Sequence, residues 1–380
     1  MAITRRSFME LLTFSAAAGA VSSPALATDV RKFSVLVATN EPYGSYHIAS
    51  MVSYVKGHGG RIALVSPDLD HRMGDGVDVI TVDQAAEWGA DLLVVTGATP
   101  WPIAVIQHLD SLPVVASSMA YLNPMEAEGA MLVRSRLVGA TAQSSAESAV
   151  FATHWGIPKH DITVVGNPQL DGLPAYRPEE NTVLVATSVT HQSETGSCAP
   201  GTDLLMRTAE ALHNHGYRVR VGLHPRENPS LWSNFEIATE GTVRAAETAK
   251  VVVGIPGSVF PQIAALGAPL VGITDDRLHV PDYIMSVATP VKTVDQALTA
   301  VRAGRKPAAQ HLRSVVGPLG GSRARLWNYW RHAVTSAEPT RPAQPSDASP
   351  EPSRTPAPPR SPHTPPAAPH RLPALPGTGR

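Results

Sequence analysis

The sequence predicts an α/β protein of two doubly wound, parallel-sheet domains facing a cleft. Three observations predict it. From Phe33 to about Val334, short apolar runs of strand length alternate with helical stretches, the pattern of right-handed βαβ units. The alternation pauses once, around Leu173–Asn181, and then starts afresh, which marks a single crossing between two domains. The roughly 310 residues between two compositionally odd ends are too many for one average domain and comfortable for two.

In the first set, Phe33–Thr39 reads as a strand, Ser45–Lys56 as a helix and Arg61–Ser66 as a strand. Asp78–Val82 is a short strand leading into a helix at Asp83–Trp88. Asp91–Thr96 and Leu112–Ser117 are strands on either side of a helix at Pro102–His108. Leu137–Ala142, Ser144–Trp155 and Ile162–Val165 complete the set as strand, helix and strand. The second set opens with the strand Thr182–Thr187, a long polar loop Ser188–Gly201, the helix Thr202–His215 and the strand Tyr217–Leu223. Phe235–Thr239 and Val243–Ala249 follow as strand and helix. Then come the strand Val251–Ile255, a glycine turn, the helix Val259–Leu266 and the strand Leu270–Ile273. Val291–Ala303 and Arg313–Val334 are closing helices, the last with Trp327 and Trp330 as packing anchors. Strands such as VVV and LVGI carry no polar alternation, so both faces of each sheet must be covered. The domains are therefore placed at 28–174 and 175–337.

The ends belong to neither domain. Thr4-Arg5-Arg6-Ser7-Phe8-Met9 precedes an apolar run, Leu11–Val21, and an Ala25-Leu26-Ala27 site. These are the parts of an export signal spanning 1–27, and the paired arginines resemble the twin-arginine type. The apolar run is about half of the roughly 20 residues that a spanning helix needs. The expected location is outside the cytoplasm, reached through the twin-arginine machinery; a spurious leader would leave the protein cytoplasmic. At the other end, 338–380 is dense in proline, with Ser, Thr, Ala, Arg and His between, and predicts an extended, disordered tail.

Composition excludes several classes. With 31 Lys and Arg against 32 Asp and Glu, and no basic stretch threaded with aromatics, nucleic acid is not an expected partner. The single cysteine, Cys198, rules out an internal disulfide and a Cys-based zinc site. That suits a protein folded in the cytoplasm before export. No G-x-G-x-x-G follows the first strand, so a nicotinamide or flavin fingerprint is missing and no cofactor is expected.

In doubly wound sheets ligands sit at the carboxyl ends of the strands, and three loops there carry chemistry. After the first strand, Asn40-Glu41-Pro42-Tyr43-Gly44-Ser45-Tyr46-His47 offers Gly44 for a tight turn and Ser45 as an N-cap. His47 then falls in the first helical turn, where an imidazole of ordinary pKa about 6.5 can act as general base on an acceptor hydroxyl. After Tyr217–Leu223, His224-Pro225-Arg226-Glu227 places two donors where phosphate oxygens could bind. The turn at Gly257-Ser258 opens a helix whose first N–H groups and dipole favour an anion.

Three phrases, in order and spacing, resemble the GT-B glycosyltransferases and their relatives, including CDP-glycerol glycerophosphotransferases and UDP-GlcNAc 2-epimerases. The first is Gly156-Ile157-Pro158 followed by Val165-Gly166-Asn167-Pro168, which in the family leads into the interdomain crossing. The second is His224-Pro225, which borders the nucleotide diphosphate there. The third is Gly254, Ser258, Ala265-Leu266-Gly267 and Pro269, set against the family's G-x-x-S-x-x-x-x-E-A-x-x-L-G-x-P. The resemblance implies two Rossmann-like domains, a closing helix that returns to the first of them, and no required metal. It also implies a nucleoside-diphosphate-activated donor bound by His224, Arg226, Gly257, Ser258 and Gln262, with a glycan or other hydroxyl acceptor entering near Gly44, Ser45 and His47. One departure counts against catalysis: Gln262 stands where the family usually has the glutamate that holds the ribose hydroxyls, and it cannot make that charge-assisted bond. Two readings stay open, a transferase of sugar or glycerol phosphate and an exported, non-catalytic binding protein of the same fold.

Overall fold

The structure is a computed structural model that describes residues 32–119, 127–189 and 200–337. The leader at 1–27, the proline-rich tail and Cys198 lie outside the described residues, as does most of the polar loop after the crossing.

Two parallel sheets form in succession. The first comprises β1 (Ser34–Ala38), β2 (Arg61–Ser66), β3 (Asp78–Thr81), β4 (Leu92–Val95), β5 (Val114–Ser117), β6 (Leu137–Ala142) and β7 (Ile162–Val164), in the spatial order β3-β2-β1-β4-β5-β6-β7. Its helices are α1 (Ala49–Gly57), α2 (Val82–Glu87), α3 (Pro100–His108), α4 (Ala130–Val133) and α5 (Ser145–Trp155). The second comprises β8 (Glu179–Ala186), β9 (Arg218–Gly222), β10 (Glu236–Ile237), β11 (Ala249–Gly254), β12 (Leu270–Ile273) and β13 (Thr289–Val291), in the order β10-β9-β8-β11-β12-β13. Its helices are α6 (Thr202–Asn214), α7 (Thr242–Ala245), α8 (Val259–Leu266), α9 (Asp282–Met285), α10 (Val294–Ala303) and α11 (Ala309–Val316). In each sheet the order reverses beside the first strand, between β1 and β4 and between β8 and β11, and at such a switch point a crevice opens over the strands' carboxyl ends.

The central strands are buried on both faces, as their unbroken apolar runs require. In the first lobe, Leu36, Val95, Val114 and Phe151 lie in one apolar layer and Val35, Val37, Leu64 and Val94 in the other. The second layer is completed by the last helix of the chain, α12 (Ser322–Ala337), which brings Leu326, Trp327 and Trp330 against the first sheet. The span 175–337 thus gives its final helix to the first lobe.

Several devices fix that return. The Asp171 carboxylate, just past the crossing phrase, accepts from the N–H groups of Ser322 (2.9 Å) and Arg323 (2.8 Å), satisfying two orphan donors at the helix start. Arg323 donates back to the carbonyls of Pro168 and Asp171, and Arg325 to that of Val165. Further along, the Trp330 indole N–H reaches the Ser117 hydroxyl at 3.0 Å, and the Tyr329 hydroxyl accepts from the Ala140 N–H at 2.9 Å. The approach is close enough that two glycines are needed beneath it: a β-carbon on Gly60 would strike the Trp327 ring, and one on Gly139 would strike the Tyr329 hydroxyl.

Removing a fully buried tryptophan leaves a cavity that its neighbours fill only in part. Trp330→Ala is expected to destabilise the protein by about 3–5 kcal/mol, read as a lower urea midpoint at unchanged slope. An unaltered midpoint would show that α12 adds nothing to the first core.

Candidate functional site

The loop after β1 is built on Gly44. Its N–H bonds the Glu41 carbonyl at 2.8 Å, and a β-carbon on it would lie 2.9 Å from the His47 ring and 3.1 Å from that carbonyl. The expected helix from Ser45 begins instead as a 3-10 turn, Ser45–His47, with α1 starting only at Ala49. Ser45 does not serve as an N-cap: it is buried, and its hydroxyl donates to Asp75 at 2.7 Å, pinning the loop to the neighbouring 67–77 segment. Tyr43 does the same with Asp68, also at 2.7 Å. His47 is nearly buried, with its ring 4.2 Å from that of Tyr46.

Glu41 is the centre of this arrangement, and sequence reasoning gave it no role. Its Oε2 accepts from the Tyr46 hydroxyl and lies 3.8 Å from His47 Nε2. Its Oε1 lies 2.7 Å from a guanidinium nitrogen of Arg226 in the second lobe. Burial pushes the carboxyl up, but His47, Tyr46 and the charge of Arg226 outweigh it and hold the pKa at about 2. Burial and the Glu41 charge together push the Tyr46 phenol up, so it stays a donor.

On the second lobe, His224-Pro225-Arg226 follows β9 as expected. The His224 N–H is held by the Thr187 hydroxyl at 2.9 Å, and its Nδ1 accepts from the Arg226 N–H at 3.2 Å. The His224 ring meets Tyr46 edge-on at 5.7 Å. Arg226 therefore pairs across the cleft, while Glu227 turns to the Asn228 N–H at 2.8 Å.

Gln262, on α8, donates from Nε2 to Gln169 Oε1 at 2.6 Å, and Gln169 donates in turn to the Tyr46 carbonyl at 3.2 Å. Gln169 lies in the short turn Pro168–Leu170 that Asn167 caps at the crossing. Three contacts thus span the lobes here: Glu41–Arg226, Tyr46–His224 and Gln169–Gln262.

Gly257 and Ser258 lie at the start of α8. Ser258 takes helical dihedrals with no side-chain cap, and the N–H groups of Gly257, Ser258 and Val259 find no acceptor among the described residues. Space surrounds Gly257, with no atom within 4 Å of where a β-carbon would stand. Ser258 borders a small cavity of about 10 Å³ with Gln143, Glu147, Asn167 and Pro261, so the turn sits against the first lobe near the crossing.

Glu147 was also missed. It occupies the third position of α5, where Ser144 caps its N–H at 3.1 Å and its carboxyl accepts from the Gln143 N–H (2.6 Å) and the Ser118 hydroxyl (2.9 Å). Burial pushes its pKa up to about 7 despite those bonds. The S-x-x-E spacing of a capping box could have found it. Among the described residues, no group of three or more His, Cys, Asp or Glu side chains could hold a metal ion.

Since folding lowers the Glu41 pKa, its interactions stabilise the protein above the ordinary carboxylate pKa of 4.5 and are lost as pH falls toward about 2. Glu41→Gln should therefore lose less stability than the parent chain between pH 5 and pH 2, measured by urea unfolding. Parallel acid limbs would mean that the carboxylate is not held ionised by its neighbours.

No family model matches this chain, and no curated protein matches it by sequence. Solved structures do. The calicheamicin glycosyltransferase CalG4 superposes with a TM-score of 0.55 at 14% identity, covering 81% of this chain and 100% of that one. The wall teichoic acid polymerase TagF gives 0.53 at 11%, covering 80% and 89%. MurG of Acinetobacter baumannii gives 0.52 at 9%, covering 79% and 99%. At these identities the likeness establishes the fold: two facing parallel-sheet α/β domains of the GT-B glycosyltransferase type.

Proposed function

We propose that this protein is a GT-B-type transferase that moves a sugar or glycerol phosphate from a nucleoside-diphosphate-activated donor to a hydroxyl acceptor, such as a glycan. The observation that carries the reading is that His47 and Arg226, on loops at the carboxyl edges of different sheets, share one carboxylate, Glu41, across the cleft. A base on one wall and a phosphate-binding cation on the other is the arrangement that such a transfer needs.

In this reading the donor's diphosphate lies against Arg226, His224 and the N–H groups at Gly257-Ser258, with Gln262 nearby. The acceptor hydroxyl enters beside Gly44–His47 and attacks the donor carbon or phosphorus as its proton passes to the His47 imidazole. The bond from that atom to the leaving phosphate breaks. The growing negative charge is met by a guanidinium and a helix N-terminus already in place. The Glu41 carboxylate, 3.8 Å from His47 Nε2, keeps the ring in place as it takes the proton.

A second reading rests on Gln262, whose amide is already engaged by Gln169. An exported GT-B protein that binds a glycan or nucleotide without turning it over would keep the fold and dispense with the ribose-binding carboxylate. In either case we propose export by the twin-arginine route. The support is the leader sequence: Arg5→Lys with Arg6→Lys should leave the product in the cytoplasm, and unchanged export would count against the route.

Thermal unfolding with UDP, CDP and GDP distinguishes a nucleotide-binding cleft from one that is not. A ligand at about 100 times its Kd adds roughly 2.7 kcal/mol to the folded state, and no shift with any of the three would sink the transferase reading. Given a donor that shifts the transition, His47→Ala should abolish turnover while leaving that shift nearly unchanged. Retained turnover would remove His47 as the base, and a shift without turnover in the parent chain would favour the binding protein.

A further inference from the structure

The residues assigned to the donor are not idle in this structure. Arg226 faces Glu41, His224 faces Tyr46 and Gln262 faces Gln169, and every partner comes from the first lobe or the crossing. We infer that the Glu41 carboxylate is a built-in occupant of the anion seat at Arg226, which a ligand's phosphate must displace before the cleft can be loaded. The inference rests on the reading that this seat takes an anion, and it adds that the protein supplies a competing one.

The chemistry of the exchange is direct. Carboxylate and phosphate oxygens present the same acceptors to a guanidinium at the same distances, so one can replace the other without rearranging Arg226. Glu41 Oε1 lies 2.7 Å from Arg226, with the carboxylate side chain 38% and the guanidinium 34% exposed. The pair is therefore reachable from solvent, and an incoming anion can take over the arginine. The other oxygen, Oε2, stays anchored by Tyr46 and His47, so the displaced carboxylate does not leave the cleft. An arriving phosphate must both break the pair and sit near a fixed negative charge, and both effects weaken its binding.

The tightening expected when the charge is removed follows from these two costs. A partly exposed pair contributes modestly and a like-charge neighbour adds to it, so Glu41→Gln should bind inorganic pyrophosphate about fivefold or more tightly than the parent chain. Calorimetric titration of the full chain with pyrophosphate tests this directly. Glu41→Asp separates contact from field: it keeps the charge but is one methylene shorter than the 2.7 Å contact requires. If the contact itself occupies the seat, Glu41→Asp should also tighten binding, and Arg226→Gln should lose it in every background.

Equal or weaker binding by Glu41→Gln overturns the inference, as does binding by Glu41→Asp at the parent level or no pyrophosphate binding in any chain. The outcomes stay separate from the transferase reading. Pyrophosphate tightened by Glu41→Gln with no response to UDP, CDP or GDP would leave the occupied seat standing and the transferase reading failed. Nucleotide shifts that are identical in the parent and Glu41→Gln would do the reverse.

Discussion

The Asp171 carboxylate at the start of α12 does more to define this molecule than its two hydrogen bonds suggest. It stands just beyond the crossing, where the chain leaves the first lobe, and it captures the helix by which the chain comes back. Around it, Arg323 and Arg325 bind carbonyls of the same crossing segment, so exit and return are tied at one point. The tie places Trp327 and Trp330 under the first sheet. Gln169, two residues before Asp171, then reaches both α8 and the loop after β1. The geometry of the site is thus an extension of the geometry of the crossing.

Much of the fold was legible because its strands are buried on both faces. Runs such as Val251–Val253 and Leu92–Val95 cannot sit at a half-solvated surface, and most strands begin and end within a residue or two of the apolar run that announces them, whereas β8 starts three residues early and β13 (Thr289–Val291) has no run to announce it. The candidate site was legible in outline for a different reason: a parallel sheet puts its loops at one edge, so the loops carrying His47, His224, Arg226 and Gly257 follow the carboxyl ends of their strands. What the sequence could not show was which of them would touch. Glu41 and Arg226 sit in different domains, and nothing in either local pattern signals the other. Ser45 illustrates the same limit at short range. A serine ahead of a helix is a good cap, but the hydroxyl bonds whichever partner the tertiary structure brings, and here it is Asp75. The tryptophans of α12 announce packing and the resemblance announces a return to the first lobe, but the close approach itself rests on Gly60 beneath Trp327 and Gly139 beneath Tyr329, which look like ordinary turn and strand glycines.

One carboxylate serves a phenol, an imidazole and a guanidinium, and each of those neighbours makes the negative charge cheaper to keep. Such a cluster is poised rather than inert. Any change at one member alters what the others can hold, because all three neighbours share the same carboxylate. Gln262 adds no charge to this cluster: its amide donates to Gln169, which donates in turn to the Tyr46 carbonyl.

The imprint of α12 on the first lobe also has a bearing on how the chain is made. Residues 34–164 emerge from the ribosome long before 322–337, yet the layer containing Val35, Val37 and Leu64, which already includes Met51, Val52 and Val55 of α1, is completed by Leu326, Trp327 and Trp330. The lobe synthesised first is therefore finished last, and until the end of translation it exposes an apolar face shaped for two indoles. A first lobe folded by itself would lack these three side chains from one of its two apolar layers. The order in which this layer's residues are synthesised and the order in which the layer can be completed therefore run in opposite directions.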